Sequence, residues 1–80
     1  MLNIASPEEG ATVDDDKVRF SGALRDDRLR LEVEGKSVRI DAEGNFVVTV
    51  SLRPGLNQIM LVVSDGKGNE TRVSRRVTRR

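Results

Sequence analysis

Residues 46–63 read FVVTVSLRPGLNQIMLVV, and this stretch decides the fold. Apolar residues occupy every second position from 46 to 50, and the same alternation returns from 59 to 63. Alternation of this kind places one side of an extended segment in a core and the other side in solvent. Pro54 and Gly55 lie between the two runs, where proline presets the first corner of a turn. The stretch therefore predicts two β-strands joined by a short connection.

The same period of two extends outward through most of the chain. It recurs over residues 17–21, 28–34, 38–40 and 73–77, whereas no window of ten residues keeps the spacing of an amphipathic helix. At the N-terminus, Pro7 divides what would otherwise be one long strand, because proline cannot donate to a strand ladder. We predict strand pieces at residues 2–5 and 11–13, with the first strand switching between sheets.

The connections have the residues that tight turns need. Gly35, within Glu34–Ser37, can adopt the positive φ of a hairpin turn. Asp41–Gly44 predicts a type I turn followed by a left-handed glycine, with the Asp41 side chain bonding back to the backbone. Asp65–Asn69 joins the last two strands. Short alternating strands with turns every 8–12 residues predict a sandwich or barrel.

Length and composition exclude several classes of function. Eighty residues make a single domain, 1–80, and the chain has no Cys, His, Trp or Tyr. Disulfides, thiolate or imidazole metal sites and Ser-His or Cys-His nucleophiles are therefore excluded. The net charge of +1 gives no field that would attract nucleic acid or an anionic membrane. We expect no cofactor, no nucleic acid partner, no membrane insertion, no signal peptide in this chain, and a monomer in isolation.

The order of these motifs resembles the bacterial Ig-like domains, including the glucodextranase B-domain type. The resemblance rests on six segments in sequence, namely 4–13, 18–22, 31–35, 41–46, 52–59 and 63–71. It implies an all-β, seven-stranded antiparallel Greek-key sandwich without a disulfide. It also implies a spacer, stalk or adhesion unit of a larger extracellular, periplasmic or cell-surface protein, with neighbouring domains or a protein as partners.

Two acidic loops offer oxygen atoms of the kind that calcium prefers. One is the run Asp14, Asp15 and Asp16, and the other contains Asp65 and Asn69. Lys67 takes a position in the second loop where a ligand would be useful, and Asp and Asn are also common turn residues. We expect plain turns and keep these five residues as the calcium candidates.

Other site chemistries have little support in the sequence. Asp26 and Asp27 are adjacent, but Arg25 and Arg28 flank them, which favours ion pairing over acid–base catalysis, so we expect no enzyme activity. Sugar stacking needs exposed aromatic rings, whereas Phe20 and Phe46 have the parity of core residues.

Surface charge and surface apolar residues give two further expectations. Residues 72–80 contain five arginines, whose positive charges repel one another. The five carboxylates within 1–16 can neutralise these charges if the two segments lie on neighbouring strands. Val47, Met60 and Val62 have outward parity, and they form a possible contact patch if their strands are neighbours.

Two other functions remain open. An engineered stand-alone Ig-like scaffold without a natural ligand is one, although Arg outnumbers Lys 11 to 3, unlike typical designed surfaces. The other is a calcium- or carbohydrate-binding accessory module of a secreted hydrolase.

Overall fold

The computed structural model describes residues 2–24, 26 and 28–80 and shows a sandwich of two β-sheets. The strands are β1 (Leu2–Ser6), β2 (Ala11–Val13), β3 (Lys17–Leu24), β4 (Arg30–Val33), β5 (Lys36–Val38), β6 (Asn45–Ser51), β7 (Gly55–Ser64) and β8 (Glu70–Arg79). The predicted all-β architecture is confirmed. No helix in the described part of the chain has the length and apolar character needed to cross a membrane.

The two sheets have different sizes. One has three strands in the order β1-β3-β6, and the other has five in the order β2-β8-β7-β4-β5. Every neighbouring pair is antiparallel except β2 and β8, which run parallel. The prediction of seven antiparallel strands was therefore wrong in two respects. The halves of the split first strand belong to different sheets and count as two strands, and the second half pairs in parallel with the last strand.

The segment 7–10 carries the chain from one sheet to the other. The N–H of Gly10 donates to the carbonyl of Arg76 at 2.8 Å, and the N–H of Ala11 donates to the carbonyl of Glu8 at 3.1 Å. These bonds provide partners for backbone N–H groups of the segment that lies between β1 in one sheet and β2 in the other. The predicted switch at Pro7 is confirmed.

The core lies between the sheets and consists of aliphatic side chains with two phenyl rings. Its fully buried members include Phe20, Leu24, Leu31, Leu61 and Val77. Leu29 and Ile40 were predicted in strands, but both lie in connecting segments, where they pack against the edge of this core. They fall outside the ladders because β4 begins only at Arg30 and β5 ends at Val38.

The turns follow the chemistry of their residues. Glu34 and Gly35 have φ values of 52° and 80°, so both central residues of the β4–β5 hairpin have the positive φ of a type I′ turn. At the next connection, the Asp41 carboxylate accepts bonds from the N–H groups of Glu43 and Asn45, at 3.0 and 2.8 Å. Gly44 follows with φ 86°, which confirms the predicted turn.

The first and last described residues lie at opposite ends of the sandwich. At what we call the N-terminal end, Leu2 pairs with Leu24, whose N–H bonds to the carbonyl of Gly44. At the C-terminal end, Arg79 pairs with Gly55. Next to this pair, the N–H of Leu52 in the β6–β7 connection donates to the carbonyl of Asp16, just before β3. The long dimension is 38 Å, against 24 and 18 Å for the other two.

Candidate functional site

The Asp26 carboxylate is bonded to Arg28, two residues later in the chain. Its carboxylate accepts bonds from the backbone N–H of Arg28 at 3.0 Å and from the guanidinium of Arg28 at 3.2 Å. The side-chain bond from Arg28, with the backbone bond second, lowers the pKa of Asp26. Asp26 is therefore stabilised as a carboxylate, which does not suit a proton donor. Asp27 and Arg25 lie outside the described residues.

Asp65 organises the β7–β8 turn with both of its carboxylate oxygens. Oδ1 accepts from the N–H groups of Lys67 and Asn69 at 2.7 and 3.2 Å, and Oδ2 accepts from the Asn69 amide at 2.8 Å. The bond from the Asn69 side chain is the largest cause of a lowered pKa at Asp65. Both calcium candidates in this loop thus serve as turn residues.

The other calcium candidates lie at the opposite end of the sandwich. Asp14 is 3.5 Å from the guanidinium of Arg80, and the carbonyl of Asp16 accepts from the N–H of Leu52 at 2.7 Å. The structure therefore does not bring the run Asp14–Asp16 together with Asp65 and Asn69. Within the described ranges, no group of three or more acidic side chains is placed to hold a metal ion.

An open cleft of about 870 Å³ lies at the N-terminal end between the two sheets. Apolar side chains and five charged residues border it, and its lining includes Leu24, Leu31, Val38, Ile40, Asp26, Arg28, Arg30, Asp41 and Glu43. Two of these carboxylates, those of Asp26 and Asp41, already bond within the turns that border the cleft. Sequence reasoning missed this cleft because it assigned Leu29 and Ile40 to strands.

The aromatic rings are inside the molecule. Phe20 and Phe46 are both buried, as their parity predicted. Since these are the chain's only aromatic residues, no ring is presented for stacking against a sugar.

The possible contact patch is not continuous. Met60 and Val62 lie on the outer face of the five-stranded sheet, because Ile59, Leu61 and Val63 occupy its inner face. Val47 is 61% exposed on β6, which belongs to the other sheet. The prediction required neighbouring strands, and this arrangement instead places Val47 on the opposite outer surface from Met60 and Val62.

The arginines of β8 divide between the two faces of the strand. On the outer face, Arg76 lies 3.6 Å from Glu9 and Arg72 lies 3.4 Å from Glu70. Arg75 and Arg79 have inward parity, and in the described part of the chain their buried Nε atoms have no hydrogen-bond partner. The expected compensation between the first and last strands is found at Glu9 and at Asp14.

Comparison with known proteins identifies a family and a curated relative that match this chain. The family described as "Glucodextranase, domain B" matches residues 1–80. Bacillopeptidase F of Bacillus subtilis (strain 168) is 30% identical over 71 residues, which cover 88% of this chain and 5% of that protein. The chain thus matches a small part of that curated relative.

The fold has a counterpart among solved structures. The fibronectin(III)-like modules of Clostridium thermocellum CbhA superpose with a TM-score of 0.68 at 15% identity, covering 100% of this chain and 96% of that one. At this identity the likeness concerns the fold, which agrees with the two-sheet arrangement described above.

Proposed function

Since the chain belongs to the family of glucodextranase domain B, we propose that it is a non-catalytic Ig-like module that separates neighbouring domains of a larger extracytoplasmic bacterial protein. One observation carries the proposal: the chain enters and leaves at opposite ends of a sandwich that is 38 Å long. Domains attached at the two ends point away from each other, which is the geometry of a spacer or stalk.

The surrounding structure supports a mechanical role over a chemical one. Asp26 and Asp65 each accept three hydrogen bonds, and all of these bonds lie within their own turns. A match to 5% of the length of Bacillopeptidase F is what a module repeated among larger proteins would give. A location outside the cytoplasm is part of the proposal and rests on the resemblance to surface and secreted repeats.

Small-angle scattering of one, two and three copies joined by short linkers tests the spacer role. We expect the maximum dimension to rise by up to about 38 Å with each added module. Matched proteins with long Gly/Ser linkers serve as the control, because flexible linkers produce a broad distribution of dimensions. Tandem copies that collapse into a compact particle, with little growth in length, would contradict the proposal.

A further inference from the structure

β6 is an edge strand of the three-stranded sheet. The hydrogen bonds at its two ends show which of its backbone groups point toward the neighbouring strand β3. The carbonyl of Gly44, just before β6, accepts from Leu24 at 2.7 Å. The N–H of Leu52, just after β6, donates to the segment preceding β3, also at 2.7 Å. The even-numbered positions of this strand therefore direct their backbone groups toward β3.

The odd-numbered positions face away from β3. Asn45 uses both its N–H and its carbonyl in bonds with the turn residue Asp41, at 2.8 and 2.9 Å. The pairing of β6 with β3 continues from there to Ser51 without a register shift. Because backbone direction alternates along an antiparallel strand, the N–H and carbonyl groups of Val47, Thr49 and Ser51 face the open edge.

The other three edge strands are protected in ways that β6 is not. β1 has a register shift between Ile4 and Ser6 and is followed by proline. β2 and β5 have three residues each, and β5 begins with Lys36. β6 has seven residues with neither a charge nor a proline, and Val47 is largely exposed. Long, uncharged edges of this kind are templates for pairing with another strand.

We propose that the β6 edge pairs antiparallel with the β6 edge of a second copy of this chain. A two-fold axis at Thr49 sets Thr49 opposite its counterpart and Val47 opposite Ser51 of the partner. All three outward-facing residues then exchange two bonds each with a partner residue, as in hydrogen-bonded pairs of an antiparallel ladder. Asn45, whose backbone is already bonded within the turn, is left outside this register.

The fit of this register also limits the assembly to two chains. β6 ends at Ser51, so the regular pairing in this register stops at Val47 and does not use the backbone of Asn45. A surface groove of about 300 Å³ separates this part of the edge from the preceding segment and is bordered by Arg39, Asp41, Asn45, Phe46 and Val47. Each copy offers one unprotected edge, and the pairing uses it, so the contact closes as a dimer and does not extend into a filament.

The association should be weak for a single module. One strand pair buries a small area, and interfaces below about 1,200 Å² belong to the transient class. An isolated module is then a monomer when dilute. Where several modules follow one another in a stalk, side-by-side pairing of two stalks gains from the high effective concentration of the remaining modules. The inference goes beyond the spacer role and does not depend on it.

Sedimentation of the single chain from micromolar to millimolar concentrations tests the pairing. We expect a monomer–dimer equilibrium in the wild type, and slower amide exchange at Val47, Thr49 and Ser51 as the concentration rises. Thr49→Lys places two like charges opposite each other and should weaken the dimer at least about tenfold. Thr78→Lys makes the same change on β8, an interior strand of the other sheet, and should leave association unchanged.

A charge exchange distinguishes this register from general repulsion. Thr49→Glu alone should also weaken the dimer, whereas an equimolar mixture of T49E and T49K should associate at least as strongly as the wild type. A wild type that remains monomeric at the highest concentration overturns the proposal. Equal effects of T49K and T78K, or a mixture that does not associate, also overturn it.

Discussion

The side chain of Glu9 accepts a 2.6 Å hydrogen bond from the backbone N–H of Arg76, 67 positions later in the chain. The guanidinium of Arg76 lies 3.6 Å from the same carboxylate, and the Arg76 carbonyl accepts from Gly10. The segment between β1 and β2 is thereby bonded to the last strand through the Glu9 side chain and through the backbone of Gly10. This is the place where the first strand changes sheets.

Replacing Glu9 by Gln should lower stability in a pH-dependent way. The N–H of Arg76, more than its charge, holds the pKa of Glu9 below the ordinary value of 4.5. Ionised Glu9 therefore favours the folded state above the unfolded-state pKa, and this contribution is lost as the pH falls through the folded-state pKa. The melting temperature of E9Q should be below that of the wild type at pH 7 and should converge with it in acid. E8Q removes the same charge from a side chain that forms no ion pair with the residues that the structure describes, and it is the control. Equal pH profiles for E9Q and E8Q would contradict the assignment.

Gly22→Ala should be strongly destabilising. A Cβ atom at this position collides with the carbonyl oxygen of Asn3 and approaches the Phe46 ring to 3.0 Å. Because one obstacle is backbone, we expect a loss of about 3 kcal/mol, at the upper end of overpacking effects. Gly10→Ala is the comparison, since its Cβ meets open space and only the positive φ opposes it, at about 1–2 kcal/mol. Denaturant unfolding measures both, and a smaller loss in G22A than in G10A would refute the argument.

Asn57→Ala should loosen the β6–β7 connection. The Asn57 amide accepts from the N–H of Arg53 at 2.9 Å and donates to the carbonyls of Arg53 and Gly55 at 2.8 and 3.0 Å. Loss of these bonds should cost about 2 kcal/mol, because each contributes roughly 0.5–1.5 kcal/mol. Asn45→Ala is the control, because among the described residues the bonds of Asn45 are made by its backbone and not by its side-chain amide. This variant should stay within about 0.5 kcal/mol of the wild type in the same unfolding assay. Similar losses in both variants would show that the side-chain bonds of Asn57 do not carry the effect.

Added calcium should leave the melting temperature unchanged. Asp65 and Asn69 bond each other at 2.8 Å, and the acidic run that contains Asp14 lies at the other end of the sandwich. An ion bound only by the folded state would raise the melting temperature once its concentration exceeded the dissociation constant. Magnesium at the same ionic strength is the control for general screening. If calcium but not magnesium raised the melting temperature, and Asp15→Asn removed that rise, the acidic run would be a calcium site and the prediction would be wrong.

Features set by neighbouring residues were predictable from the sequence. The turns at Gly35 and Asp41 depend on local φ preferences and on side chains that bond within a few residues. The burial of Phe20 and Phe46 follows from parity, because exposed positions alternate with less exposed ones up to Phe20 in β3 and throughout β6.

Features set by strand order were not predictable in the same way. Val47 and Met60 have similar neighbours in sequence, yet they lie on different sheets, which depends on pairings between distant segments. The uncharged run of β6 is visible in the sequence, but only the strand order shows that it forms an edge. The cleft beside Ile40 likewise depends on how two connections approach each other in space.

The parallel pairing of β2 with β8 determines how the molecule responds to tension. Ala11 pairs with Val77 and Val13 with Arg79, so the two strands run in the same direction while the chain ends leave at opposite ends. A pull on both ends draws these strands past each other along their length. The hydrogen bonds between them are then loaded together in shear and not one after another, so we expect β2 and β8 to be the elements that resist extension.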